Sequence, residues 1–397
     1  VEGIFSNRWS GHGICYCAFC QRAFREAYGT ELPRTRDPQD PAYRNYLLWR
    51  QERLFELWHR WDDVIREINP EARYIPNTGG GALSTLDMKT IGELSDILFA
   101  ARQARHGVSV PWAAGKNGKE YRATLGQKPV GGIFSMGVEE RYRWKDSVQS
   151  DAEIRVWVAD GIANGMRPWY TKFCGTLHDE RWVSVVEDIY NRHYQWEPYL
   201  RNQAPIARIG MVYSQQSAAF YGGAQAREKV EDHTLGMYHA LIEGRIPFEM
   251  VHDRLLDAEH LAPFKTLILP NIAALSDTQC EQLRAFVARG GSLVATFETS
   301  LYDEWGRRRD DLGLGDLFGV RCAGAVEGPM QNSYLRIEPD PATGEYHPIL
   351  SGLESSQRII NGAYRLPVED SLSRAYSPLT LVPSYPDLPM EEVYPRQ

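Results

Sequence analysis

The sequence predicts an α/β protein in which the C-terminal portion of a (β/α)8 TIM barrel is followed by a doubly wound α/β module. Three observations lead there. Short apolar runs alternate with helical periodicity over the first 200 residues, the pattern of a parallel sheet covered by helices. Polar side chains collect where those runs end, the side on which a barrel builds its site. A second set of buried runs starts afresh after residue 203. A chain of 397 residues holds two or three domains at ~100–200 residues each. We divide it into residues 1–203 (barrel portion), 204–322 (second α/β module) and 323–397 (a β-rich region cut short at Gln397).

Residues 1–7 read as a short buried strand. A buried parallel strand is not the first element of an independent fold, so further sequence is expected before Val1. Residues 21–28 and 41–69 read as helices. The second carries Leu47, Leu48, Leu54, Phe55, Leu57, Trp58, Trp61 and Ile65 at helical spacing, and Asn69-Pro70 ends it. Strands are expected at 73–77, closed by Gly79-Gly80-Gly81, and at 95–100, 130–136 and 166–172, with a helix at 150–164. Five strands before the helix at 179–200 are fewer than the eight that close a barrel, hence a C-terminal portion. Segment 107–126, around Lys116-Asn-Gly-Lys-Glu120, reads as irregular, either a lid or an inert excursion. Beyond residue 203, strands at 206–213, 248–251, 266–269 and 292–296 alternate with helices at 232–243 and 277–289. That is the order of an open, doubly wound sheet. From about Cys322 the chain is Pro-rich, without helical period, and expected to hold β-strands.

Composition narrows the partners. With 44 Lys plus Arg against 52 Asp plus Glu, the net charge is −8. No broad cationic surface is available to neutralise phosphates, so no nucleic-acid partner is expected. No run approaches the ~20 apolar residues of a membrane helix, and no secretory pattern opens the chain. No membrane partner is expected, and a cytoplasmic location is favoured.

Three of the six cysteines crowd into Cys15-Tyr-Cys17-Ala-Phe-Cys20. Short spacers let a loop wrap three thiolates around one tetrahedral ion with Zn–S bonds of ~2.3 Å, so structural zinc is expected, and no organic cofactor. His12 or a residue upstream of Val1 would be the fourth ligand. Metal-free thiols and a redox pair are the alternatives.

At the carboxyl ends of the expected strands stand Asn7 and Arg8, Asn77, Arg102 and Gln103, Glu139 and Glu140, and Lys172. The aromatics Trp9, Trp112, Trp144 and Trp169 suit sugar stacking, since a flat ring covers the apolar face of a pyranose. Core filling is the alternative for each. Arg102 and Lys172 suit an anionic or heavily hydroxylated substrate, or ion pairs with Glu139 or Glu140.

The cysteine loop, Cys15-Tyr-Cys17-Ala-Phe-Cys20-Gln-Arg-Ala-Phe-Arg-Glu-Ala-Tyr-Gly after a strand ending Gly-Ile-Phe-Ser-Asn, resembles the zinc loop of family 42 glycoside hydrolases. Ile209-Gly-Met-Val-Tyr213, Leu267-Ile-Leu-Pro270-Asn271 and Phe286-Val-Ala-Arg-Gly-Gly-Ser-Leu-Val-Ala-Thr-Phe resemble the β-galactosidase trimerisation domain, a glutamine-amidotransferase-like fold. The barrel portion is also similar to the hypothetical glycosyl hydrolase families, such as family 6 of that series. The resemblance spans roughly residues 1–319. It implies hydrolysis of O-glycosidic bonds, an oligosaccharide or glycoside substrate, and a homo-oligomer, with a trimer favoured.

One departure stands out. The family carries Asn-Glu after its fourth barrel strand, the Glu being the acid/base, whereas the matching position here is Asn7-Arg8-Trp9. The family nucleophile follows the seventh strand, which maps onto Val130 to Glu140 and implies Glu139 or Glu140. Adjacent residues on extended backbone point apart, so one would enter the site and the other pair with Arg141 or Arg143, unless both are solvated. The acid would be Asp146 or a carboxylate outside this chain. The alternative is a non-catalytic sugar-binding or scaffold protein with a decayed site, motivated by Arg8. Glutamine amidotransfer needs a nucleophilic Cys on a strand-to-helix elbow, and the segment Leu269-Pro270-Asn271-Ile272 has none, which leaves that module an assembly role.

Overall fold

A computed structural model describes residues 2–7, 9–11, 13–100, 110, 112–135, 137, 147–171, 178–201, 203–204, 206–371 and 377–384. The chain divides into two compact units, Val1–Arg308 and Arg309–Gln397. In the first unit, strands β1 (Gly3–Ser6), β2 (Arg73–Thr78), β3 (Leu98–Ala100), β4 (Val130–Ser135) and β5 (Met166–Thr171) form one parallel sheet. They are hydrogen-bonded in chain order, as expected when every crossover is a helix on the same side. The helices are α1 (Ala18–Tyr28), α2 (Pro41–Ile68), α3 (Met88–Leu94), α4 (Ala113–Leu125), α5 (Asp151–Ala163) and α6 (Val183–Trp196).

Local chemistry sets their ends. Asp40 caps α2 with Pro41 in its first turn, and Ser150 and Glu153 close a reciprocal capping box at the start of α5. Alternation along the strands then separates two faces. Tyr74, Leu98, Ala100, Val130, Phe134 and Met166 are buried against Trp58, Ile91, Tyr121, Trp157 and Val185 from the helices. Each fully buried large side chain there stabilises by about 1.5–3 kcal/mol.

The opposite face carries Phe5, Ile75, Asn77, Phe99 and Trp169, and it shows that the sheet is curled. Phe5 on β1 and Trp169 on β5 lie four inter-strand steps apart, about 19 Å in a flat sheet. Their ring centroids are nevertheless 5.0 Å apart. The expected buried first strand is found, but half open: Ile4 and Phe5 are 49% and 37% exposed, because β1 pairs with β2 alone among the described residues.

The second sheet holds β6 (Ile209–Tyr213), β7 (Phe248–His252), β8 (Thr266–Leu269) and β9 (Ser292–Ala295), all parallel in the order β7-β6-β8-β9. The strand order changes direction at β6, as in an open parallel α/β sheet. Helices α7 (Asp232–Glu243), α8 (Ala258–Leu261) and α9 (Asp277–Ala288) accompany it, and Ser276 with Gln279 caps α9 reciprocally.

One expectation is overturned. Residues 113–125, read as an irregular excursion, are helix α4, and Ala114 through Tyr121 are buried. The glycines that suggested a loop are close-packing positions instead. A Cβ on Gly115 would lie 2.4 Å from Asn164 Nδ2, and one on Gly118 would lie 2.8 Å from Asn164 O. Lys116 is neutralised in the interior by Glu120 and by Glu231 at 2.8 Å, and Lys119 donates to Phe248 O at 2.8 Å. A charged stretch thus reads as solvated until its partners are seen.

The second unit holds α10 (Gly315–Phe318) and antiparallel strands β10 (Val320–Cys322), β11 (Tyr334–Ile337), β12 (Arg358–Ile360), β13 (Val368–Asp370) and β14 (Leu379–Val382). They pair as β10-β13 and β12-β11-β14.

Candidate active site at the carboxyl ends of the first sheet

Asn7 and Asn77 meet at the ends of neighbouring strands, where Asn77 Nδ2 donates to Asn7 Oδ1 at 2.6 Å. Register explains the meeting, since β1 pairs with β2 up to Ser6↔Pro76. Below them lies an aromatic wall. Phe99 and Trp169 meet edge to face at 4.5 Å, and Phe5 reaches both, at 5.8 and 5.0 Å. Room for the Phe99 ring comes from Gly131 beside it on β4, because a Cβ there would sit 2.1 Å from Phe99 Cδ1. Two amides above a half-open aromatic surface can hydrogen-bond hydroxyls while covering an apolar ring face.

At the end of β4 the chain turns through Ser135 and Gly137. Gln149, almost buried, donates to the carbonyls of both at 2.8 and 3.1 Å, and Gly137 N donates to Ser135 Oγ at 3.2 Å. Glu139, Glu140, Trp144 and Asp146 lie just beyond this turn and outside the described residues. Arg8, Arg102, Gln103, Lys172 and His12 also fall outside the described residues.

Two expected sugar platforms are elsewhere. Trp9 packs edge to face against Trp58, Trp61 and Tyr74 and donates its indole N–H to Asn77 O at 3.2 Å. It is core, drawn in by the aromatic face of α2. Trp112 lies at the start of α4, packed on the second sheet's core with its O accepting from Tyr238. Trp169 alone among the described tryptophans named is at the strand ends. Sequence reasoning missed Phe5, Phe99 and Gln149. The strand alternation that puts Phe5 on the face of Asn7 would have found Phe5, whereas nothing local marks Gln149. Asp96 pairs with Arg73 at 2.6 Å before β3 begins.

The cysteine loop is separate from this surface. The ligand atoms of Cys15, Cys17 and Cys20 all lie within 4.8 Å of one another, a set that could hold a metal ion. Alternation turns Ile14 and Tyr16 inward against Phe24, Leu32, Tyr46 and Trp49 and leaves Cys15 and Cys17 exposed. Cys17 also caps α1, accepting the Cys20 N–H at 3.5 Å. That N–H and the neighbouring thiols bring its pKa down to about 7, while burial, then the other two thiols, push Cys20 up to about 12. Three thiolates so close repel unless a cation joins them, and the donor set fits a soft tetrahedral ion.

This is an α/β protein with a curled parallel sheet whose carboxyl ends form a half-open aromatic and amide surface. Residues 207–326 match the family model described as the Beta-galactosidase trimerisation domain. In fold the chain is similar to the β-galactosidase from Bacillus circulans sp. alkalophilus, at 15% identity over 94% of this chain and 61% of that one, TM-score 0.75. It is likewise similar to the catalytic mutant of a family 42 β-galactosidase from G. stearothermophilus (14%, 94% and 60%, TM-score 0.71). A third similar fold is the α-L-fucosidase isoenzyme 2 from Paenibacillus thiaminolyticus (19%, 92% and 49%, TM-score 0.62). The chain is glycoside hydrolase family 42-like in fold, and it spans about 61% of the length of the first of these enzymes. No curated protein matches it.

Proposed function

We propose that the chain is a glycosidase of β-galactosidase-like type, hydrolysing O-glycosidic bonds of β-galactosides or related plant sugars. The observation that carries this reading is the carboxyl-end surface of Asn7, Asn77, Phe99 and Trp169 on a curled parallel sheet. The sheet is read as the C-terminal portion of a (β/α)8 barrel, and its fold is shared with β-galactosidases over 94% of the chain.

Hydrolysis needs two carboxyl groups flanking the bond, ~5–5.5 Å apart for retention and ~6.5–9.5 Å for inversion. Glu139 or Glu140 is the proposed nucleophile or base, on the segment that leaves the Gln149-held turn. Asp146 is the proposed acid, or else a carboxylate outside this chain. Arg8, Arg102, Trp144 and Lys172 complete the proposed sugar contacts. Zinc on Cys15, Cys17 and Cys20 would hold the loop closed and carry no chemistry. The second module is read as amidotransferase-like in fold, serving assembly into a trimer, and the protein as cytoplasmic. No helix among the described residues is long and apolar enough to cross a membrane.

The test is turnover of nitrophenyl β-galactosides and plant oligosaccharides by the full-length protein, with isothermal titration of the same sugars. Sugar binding without turnover would favour the binding-protein reading that Arg8 motivates.

A further inference from the structure

The loop after β2 begins at Gly79, two residues beyond Asn77, and belongs to two cores at once. Tyr121 OH donates to Thr78 O at 2.5 Å. Gly80 lies on the Tyr121 ring, and Gly81, with φ +79°, on the Glu120 carboxylate; a Cβ at either glycine would come within 2.6 Å of those groups. Ala82, 2% exposed, is buried with Met211, Tyr213 and Met250 of the second module. The stretch from Ser84 to Met88 is then gripped by one side chain of that module, Gln215, on the segment leaving β6.

Gln215 uses all four of its hydrogen-bonding positions. Its Nε2 donates to Ser84 O at 3.0 Å and to Leu86 O at 2.8 Å. Its Oε1 accepts from Met88 N and from His252 Nε2, both at 2.9 Å. His252 Nδ1 accepts from Arg254 N at 3.1 Å and lies 3.1 Å from Asp253 Oδ1. Burial holds His252 below its ordinary pKa, opposed by the neighbouring Asp253 carboxylate. Two carbonyls on one side and two donors on the other allow a single orientation of the Gln215 amide. Arg254 adds an ion pair to Asp87, the cap of α3.

We infer that the second module is part of the frame of the sugar site, and that Gln215 is the positioning residue that holds the loop following Asn77. The inference rests on reading the carboxyl ends of the first sheet as that site. It assigns the module a task beyond assembly, because removing its grip frees the end of β2 while the module's own surface is unchanged.

Gln215→Glu is nearly isosteric, but it sets a carboxylate oxygen against the Ser84 and Leu86 carbonyls. Gln215→Met removes the hydrogen bonds without adding charge. In the full-length protein, amide hydrogen exchange, sedimentation and kinetics on a nitrophenyl β-galactoside are measured for both. The expected result is at least tenfold faster exchange at Ser84–Met88 that extends to Asn77–Gly81. The oligomer should be unchanged, KM raised about fivefold or more, and kcat altered less than twofold. If one variant does not fold, the other decides. Faster exchange confined to Ser84–Met88, with Asn77–Gly81 as protected as before, would overturn the inference. Should the unaltered protein turn over no glycoside, the hydrolase reading fails, while exchange at Asn77–Gly81 still decides the positioning role.

Discussion

Gly131 shows how one missing Cβ shapes the aromatic wall. Gly131→Ala would drive a methyl into the Phe99 ring, so we expect a loss of about 1–3 kcal/mol in urea unfolding, together with weaker sugar binding. Asp160 makes a second prediction. Burial raises its pKa to about 6, only partly opposed by the Gly115 N–H it accepts and by nearby Lys119. The folded chain therefore holds a proton there that the unfolded chain, near 3.8, has released. Stability should fall as pH rises from about 4 to about 6, by roughly 2 kcal/mol, and then level off. Asp160→Asn should flatten that slope in denaturation followed across the same range. The strand-end positions of Asn7 and Asn77 were legible, because period-two alternation fixes them locally. Residue identity misled at Trp9 and Trp112, because whether an indole faces a sugar or a helix depends on packing partners distant in sequence.

At the scale of elements, apolar period located the nine strands described in the first unit, and polar residues at strand ends suggested the candidate surface. Helix α4 was lost because Gly115, Gly118 and three charges carry no amphipathic signal. They are explained only by a helix wedged between two sheets, where small residues permit approach and ion pairs cancel charge. Gln149 and Gln215 were invisible for the same reason, since their partners are backbone carbonyls brought near by tertiary structure. The cysteine loop was legible from spacing alone. Its prediction is that the purified protein carries about one zinc, seen by elemental analysis. Cys17→Ser should abolish it, lower the melting temperature by several degrees, and leave the sugar affinity within twofold. Full metal retention by Cys17→Ser would contradict the assignment.

For the whole molecule, the match of residues 207–326 to a trimerisation domain leads us to expect a trimer in sedimentation equilibrium; a monomer at micromolar concentration would remove the assembly role. Net charge set the expectation about partners early, whereas the proposed substrate contacts are side chains at strand ends that composition does not reveal. A carboxylate after β4 is proposed to carry glycoside hydrolysis. The most direct measurement is kcat/KM on nitrophenyl β-galactosides for the full-length protein beside Glu139→Gln and Glu140→Gln. One substitution is expected to lower it by about 10³-fold or more, with sugar binding retained, while the other changes it less than tenfold. Unaltered turnover in both variants, or none in the parent despite bound sugar, would contradict the proposal.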